Sequence, residues 1–180
     1  LYAPTWEGED ESNNFTSLDV YGPELVAAAL AIPDVRVVYK PHPRVVLGQN
    51  PRIAAAHTRV LALIDRASAE DPLAGHVYQP GGDILALFPS VDLLISDISS
   101  VGLDFLYARV EAPIALTDRR SDRDELLREA PIAAASHVID AASVASAQRD
   151  LQALLDDDPL AGRRRELRRF YFDDALPGES

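Results

Sequence analysis

The chain has 180 residues, 47% of them hydrophobic, and a formal net charge of -12. That is enough apolar material for one compact domain, and it is the wrong sign for nonspecific nucleic-acid binding, which depends on clustered Lys and Arg. There is no cysteine, which excludes disulfides and thiolate metal sites and fits a reducing compartment. No apolar run approaches membrane-spanning length, and no basic region followed by an apolar core opens the chain, so neither anchor nor signal peptide is visible. The absence of methionine and the direct opening on Leu1-Tyr2-Ala3-Pro4 lead us to expect a single domain cut from a longer protein. The charge is uneven: acids gather at Glu7 to Glu11 and Asp156 to Asp158, while Arg163, Arg164, Arg165, Arg168 and Arg169 crowd one late segment that reads as a solvated face.

In chain order, Leu1 to Pro4 reads as a strand end, followed by the turn Thr5-Trp6-Glu7-Gly8 and an exposed acidic loop. Pro23 starts a helix in which Leu25, Val26, Ala29 and Leu30 recur at helical spacing until Pro33 stops it. Val35 to Lys40 is the clearest strand by composition, and it ends at Pro41-His42-Pro43-Arg44. The two prolines pin His42 in extended geometry. Ile53 to Ala69 is a long amphipathic helix carrying His57 at its surface or rim. His76 to Gln79 is a short strand broken by Pro80-Gly81-Gly82, after which Asp83 caps a short helix through Phe88. The apolar run Leu93 to Ile95 is a strand covered on both faces, stopping at Ser96-Asp97-Ile98-Ser99-Ser100 as the helix Val101 to Ala108 begins. Pro113 to Leu116 is the next strand, Ser121 to Glu129 a helix, Ala134 to Ile139 an edge strand, and Ser143 to Leu155 and Leu160 to Phe172 are helices.

Strands alternating with helices predict an α/β, Rossmann-like parallel sheet with helices on both faces. In such sheets ligands sit beyond the carboxyl ends of the strands. Thr5, His42, Gly81-Gly82, Asp97 with Ser99 and Ser100, and Arg119-Arg120 each follow a strand, so they fall on one edge. The Ser99-Ser100 turn also opens a helix, where unpaired N–H groups and hydroxyls suit an anion; one serine is expected to cap the helix and Gly102 to let a ligand approach closely. The sequence holds neither G-x-G-x-x-G nor G-x-x-x-x-G-K-[ST], so the glycine frameworks of dinucleotide cofactors and P-loop chemistry are missing. Asp122-Arg123-Asp124 lies in a surface helix with its carboxylates off one face, and no G-x-S-x-G elbow frames a nucleophilic serine.

Four segments, in order and spacing, resemble the CDP-glycerol glycerophosphotransferase family, which builds teichoic-acid-like polymers in bacteria. They are Tyr2-Ala3-Pro4-Thr5-Trp6, Lys40-Pro41-His42-Pro43, Leu94 to Ser100 with Asp104-Phe105, and Phe172-Asp173-Asp174. The resemblance implies one half of a two-Rossmann-domain GT-B fold, with residues 1–180 as the carboxyl-terminal, nucleotide-donor-binding domain. It implies transfer of glycerol phosphate, or a related polyol phosphate, from a CDP-activated donor to a polymer hydroxyl, with no cofactor and no metal. His42 is then the catalytic residue, touching the donor's pyrophosphate with the Ser99-Ser100 turn. Lys40 and Arg44 supply positive potential, and Thr5 and Asp97 complete the donor-phosphate set. The acceptor and its general base belong to a second domain, so residues 1–180 alone are expected to be inactive, and the complete enzyme to work in the cytoplasm at the inner face of the cell membrane. Two positions depart from the family's pattern: Glu7 stands where Arg is frequent, and Ile98 where Tyr is. The rival readings are a nucleotide-sugar-dependent GT-B glycosyltransferase or epimerase, and a noncatalytic domain binding a partner through the Arg163 to Arg169 helix.

Overall fold

Among the described residues, short runs of branched and aromatic residues form six strands: β1 (Tyr2–Ala3), β2 (Val38–Tyr39), β3 (Val77–Tyr78), β4 (Leu94–Ser96), β5 (Ile114–Thr117) and β6 (His137–Ile139). Seven α-helices of the described residues are interleaved with them: α1 (Gly22–Leu30), α2 (Pro43–Leu47), α3 (Pro51–Glu70), α4 (Ser100–Ala108), α5 (Arg123–Glu129), α6 (Ala147–Asp156) and α7 (Ala161–Phe172). This is a computed structural model, and it describes residues 1–48 and 50–173. Asp174 of the last family-like segment lies outside the described residues.

All the strand pairs are parallel, and the order across the sheet is β3-β2-β1-β4-β5-β6. The chain starts in the middle, builds outward one way to β3, then crosses back to build the other half. The reversal falls between β1 and β4, where Tyr2 lies opposite Ile95 and Ala3 opposite Ser96. The connections on the two sides of this point leave over opposite faces, which opens a crevice at the carboxyl ends of the strands.

Strand side chains alternate between two cores. Tyr2, Tyr39, Ile95, Ala115 and Ile139 join one core with Leu25, Val26 and Ala29 of α1, Ile53, Val60 and Ile64 of α3, and Leu151 and Leu154 of α6. Ala3, Leu94, Ile114 and Leu116 join the other with Phe105 and Leu106 of α4, Leu126 of α5, and the partly buried Leu167 and Phe172 of α7. Phe105 is fully buried and meets Phe88 edge-on at 5.1 Å, so Phe105→Ala would cost about 3–5 kcal/mol and loosen the helix that starts at the crevice.

Four expectations are corrected. The second strand is shorter than Val35 to Lys40, because the Val37 N–H donates to Nδ1 of His76 (3.1 Å) and regular pairing begins only at Val38. Pro43 opens α2, a short helix for which there was no expectation; its missing N–H costs nothing at a first helical position. Asp83 caps one turn, accepting from the Leu85 N–H at 2.9 Å, but no α-helix follows, and only a 3-10 turn at Phe88–Ser90 precedes Val91. The sixth strand and α6 also start late, behind 3-10 turns at Pro131–Ala135 and Val144–Ser146.

The arginine-rich α7 is an internal clamp as well as a surface. Arg164 is 1% exposed, ion-paired with Asp158, and donates from Nε to the Val110 carbonyl at 3.0 Å. Arg165 reaches Glu111 (2.7 Å), and Arg168 donates to the Tyr107 carbonyl (3.1 Å) while lying over the Tyr107 ring. Charges read as a solvated face therefore fasten α7 to the end of α4.

Candidate active site

The carboxyl-end crevice has a volume of about 430 Å³, within the usual range of small-molecule sites. Thr5, Lys40, His42, Ser99 and Ser100 all line it, together with Trp6, Gly82, Asp83, Ile84 and Val101. Five of the seven candidate site residues thus converge, from the loops after β1, β2 and β4, on the switch point. A larger cavity of about 560 Å³ opens at the amino ends of the strands, walled largely by aliphatic side chains such as Leu25, Val37, Leu93 and Leu151. Ligands of open α/β sheets bind at the other edge, and the polar chemistry is there too.

Lys40 is the only lysine in the sequence and is 7% exposed. Its ammonium donates to the Gly81 carbonyl at 3.0 Å and has no carboxylate within ion-pairing distance among the described residues. A buried cation so poorly matched is costly unless an anion joins it. Across the crevice Ser99 occupies the cap position of α4 without capping it. Its hydroxyl oxygen is buried and has no hydrogen-bond partner among the described residues, which corrects the expectation of a serine cap. The free N–H groups of the first turn of α4, the Ser99 hydroxyl and the Lys40 ammonium make a binding place for a phosphate. Gly102 takes no part: a Cβ there would meet Cδ1 of Ile132 at 3.3 Å, so its smallness serves helix packing on the far side.

His42 caps α2, accepting the Arg44 N–H on Nδ1 at 3.2 Å. This fixes the neutral tautomer with its proton on Nε2, which is then free to donate. Partial desolvation, with the Arg44 charge second, lowers the His42 pKa below the ordinary imidazole value and keeps the ring neutral. Its ring stacks on Trp6 with centroids 6.3 Å apart, and the Arg44 guanidinium lies 4.2 Å from the Trp6 centroid. Arg44 is therefore committed to the indole and is not on the crevice wall, although its charge stands next to it. By contrast His57 bonds the Tyr39 hydroxyl (2.8 Å) inside an aromatic cluster, and His137 sits on the edge strand beside Asp150.

Asp97 is the residue the structure moves furthest from its expected place. It is fully buried, off the crevice wall, and accepts from the Thr5 N–H (2.7 Å), the Ser17 N–H (3.0 Å) and the Thr117 hydroxyl (2.6 Å). It holds the Thr5-Trp6 loop against the sheet rather than meeting a ligand. Arg119 and Arg120 are likewise internal: Arg119 pairs with Asp19, and Arg120 with Glu125 and Glu129.

Burial pushes the Asp97 carboxyl up to about 6 despite the hydrogen bonds that pull it down. The unfolded chain titrates this group near the usual carboxylate value of about 3.9, so between those pH values the folded state holds more protons. This group's contribution to stability therefore falls as pH rises through that window and is constant on either side. Asp97→Asn removes the titration and turns an N–H toward the Thr5 N–H. Urea titrations from pH 4 to 8 should show the stability difference, wild type minus variant, shrinking up to about pH 6 and then levelling; a difference that grows with pH would contradict the assignment.

Sequence reasoning passed over Asp83, which it treated only as a cap, and gave Trp6 no role. The usable signal for Asp83 was its position after β3, on the same edge as the other candidates.

No curated protein matches the chain. The family model described as CDP-Glycerol:Poly(glycerophosphate) glycerophosphotransferase matches residues 1–117, from the first strand through β5, a span containing every residue that lines the crevice. With that match over more than half of its length, the chain belongs to the CDP-glycerol:poly(glycerophosphate) glycerophosphotransferase family.

Proposed function

We propose that the switch-point crevice binds the CDP-activated donor and that the protein serves transfer of glycerol phosphate, or a related polyol phosphate, to the hydroxyl of a cell-wall polymer. The observation that carries this reading is that the wall of one crevice holds both a lone, buried Lys40 ammonium and a Ser99 hydroxyl with no hydrogen-bond partner among the described residues. In the reaction the acceptor oxygen attacks the phosphorus of the glycerol phosphate group. The bond from that phosphorus to the bridging oxygen breaks, cytidine monophosphate leaves with the electron pair, and the hydroxyl proton goes to a base supplied from across the crevice. Negative charge grows on the leaving phosphate, where the His42 Nε2–H, the Lys40 ammonium and the α4 N–H groups can receive it. Residues 1–180 form the donor side of this reaction; the acceptor is presented at the inner face of the cell membrane. Among the described residues no helix is long and apolar enough to cross a membrane.

Because Lys40 is the only lysine, acylation of its side chain can be read at one peptide by mass spectrometry. CDP-glycerol should protect Lys40 from an amine-reactive acylating reagent, and an adenine nucleotide at the same concentration should protect it less. Equal labelling with and without CDP-glycerol would remove the donor from this crevice.

A further inference from the structure

Among the described residues, Asp83 is the one carboxylate that lines the crevice, in a set otherwise cationic, hydroxylic or apolar. Its orientation is fixed, because Oδ1 accepts the Leu85 N–H at 2.9 Å, while Oδ2 has no partner among the described residues. The loop that carries it is also fixed. The Gly81 carbonyl accepts from both the Lys40 ammonium and the Gln79 amide, each at 3.0 Å, and Gly82 has φ +81°, a conformation that side chains disfavour. A carboxylate repels phosphate, so it must face a part of the donor that offers hydrogen-bond donors. Its neighbours on the wall, Ile84 and Val101, are apolar and suit the faces of a flat ring better than a polyol.

We infer that Asp83 reads the base of the donor, its free carboxylate oxygen accepting a hydrogen bond from the exocyclic amine of cytosine. Uracil carries a carbonyl oxygen at the same ring position, which would meet the carboxylate acceptor to acceptor and be rejected. The phosphates then run from this pocket toward Lys40, Ser99 and the start of α4. The inference rests on the donor-site reading given above and adds the subsite that selects the nucleotide.

The test is calorimetric binding of CMP, UMP and 2′-deoxy-CMP to the wild type and to Asp83→Asn, whose side-chain oxygen keeps the bond to the Leu85 N–H. An amide can both donate and accept, so it should lose the discrimination without unfolding the loop. Wild type should prefer CMP over UMP by about tenfold or more, and Asp83→Asn should bring that ratio close to one. If the variant keeps the wild-type ratio of CMP to UMP, the inference fails while the donor site stands. If Asp83→Asn instead erases a preference for CMP over 2′-deoxy-CMP, the carboxylate reads a ribose hydroxyl and the inference is again overturned. Wild type binding neither CMP nor UMP would remove the donor site itself and the inference with it.

Discussion

His42→Ala, made in the complete enzyme with its acceptor domain, is expected to lower turnover of CDP-glycerol about a hundredfold, because one preorganised hydrogen-bond donor to developing charge is worth on the order of 3 kcal/mol. The geometry gives the reason. Pro41 and Pro43 hold the backbone, the Arg44 N–H occupies Nδ1, and the one remaining proton is on Nε2 at the crevice. His57→Ala and His137→Ala remove rings engaged elsewhere, in the Tyr39 cluster and on the edge strand, and should leave turnover within a few-fold of wild type. Steady-state kinetics on folded variants decides the point. Equal losses at all three positions would return His42 to the role of a helix cap.

Lys40→Met should weaken CDP-glycerol binding by about ten- to a hundredfold, the worth of a hydrogen bond to a charged group. The fold should survive. Methionine has a similar stem without the cost of burying an ammonium, and the Gly81 carbonyl keeps its bond from Gln79. Titration calorimetry with thermal unfolding as a control separates the two effects. A large loss of melting temperature with unchanged affinity would make Lys40 a structural tie to the Gly81-Gly82 loop.

The fold was legible because a parallel sheet buries both faces, leaving short apolar runs such as Leu93 to Ile95 that cannot be mistaken for surface strands. The common edge of Thr5, His42, Ser99 and Ser100 followed from alternation alone, since every strand in such a sheet ends on the same side. Burial and partners were not legible. Asp97 and Ser99 are two residues apart in a polar turn, yet one is a buried tie with three donors and the other has a hydroxyl with none. Nothing in local sequence separates them, because the Asp97 partners Thr5, Ser17 and Thr117 come from distant segments. The arginines of α7 misled for the same reason: their partners Glu111, Val110 and Tyr107 lie in and just after α4. Strand ends were misjudged where a side chain intervened, as His76 does at Val37.

The most direct measurement is a crystal structure with CDP-glycerol bound. The expected result is a nucleotide in the switch-point crevice, with phosphate oxygens within hydrogen-bonding distance of Lys40 Nζ, Ser99 Oγ and the first N–H groups of α4, and His42 Nε2 facing the leaving phosphate. A nucleotide seated in the cavity at the amino ends of the strands, or phosphates that leave Lys40 and Ser99 unpaired, would contradict the account.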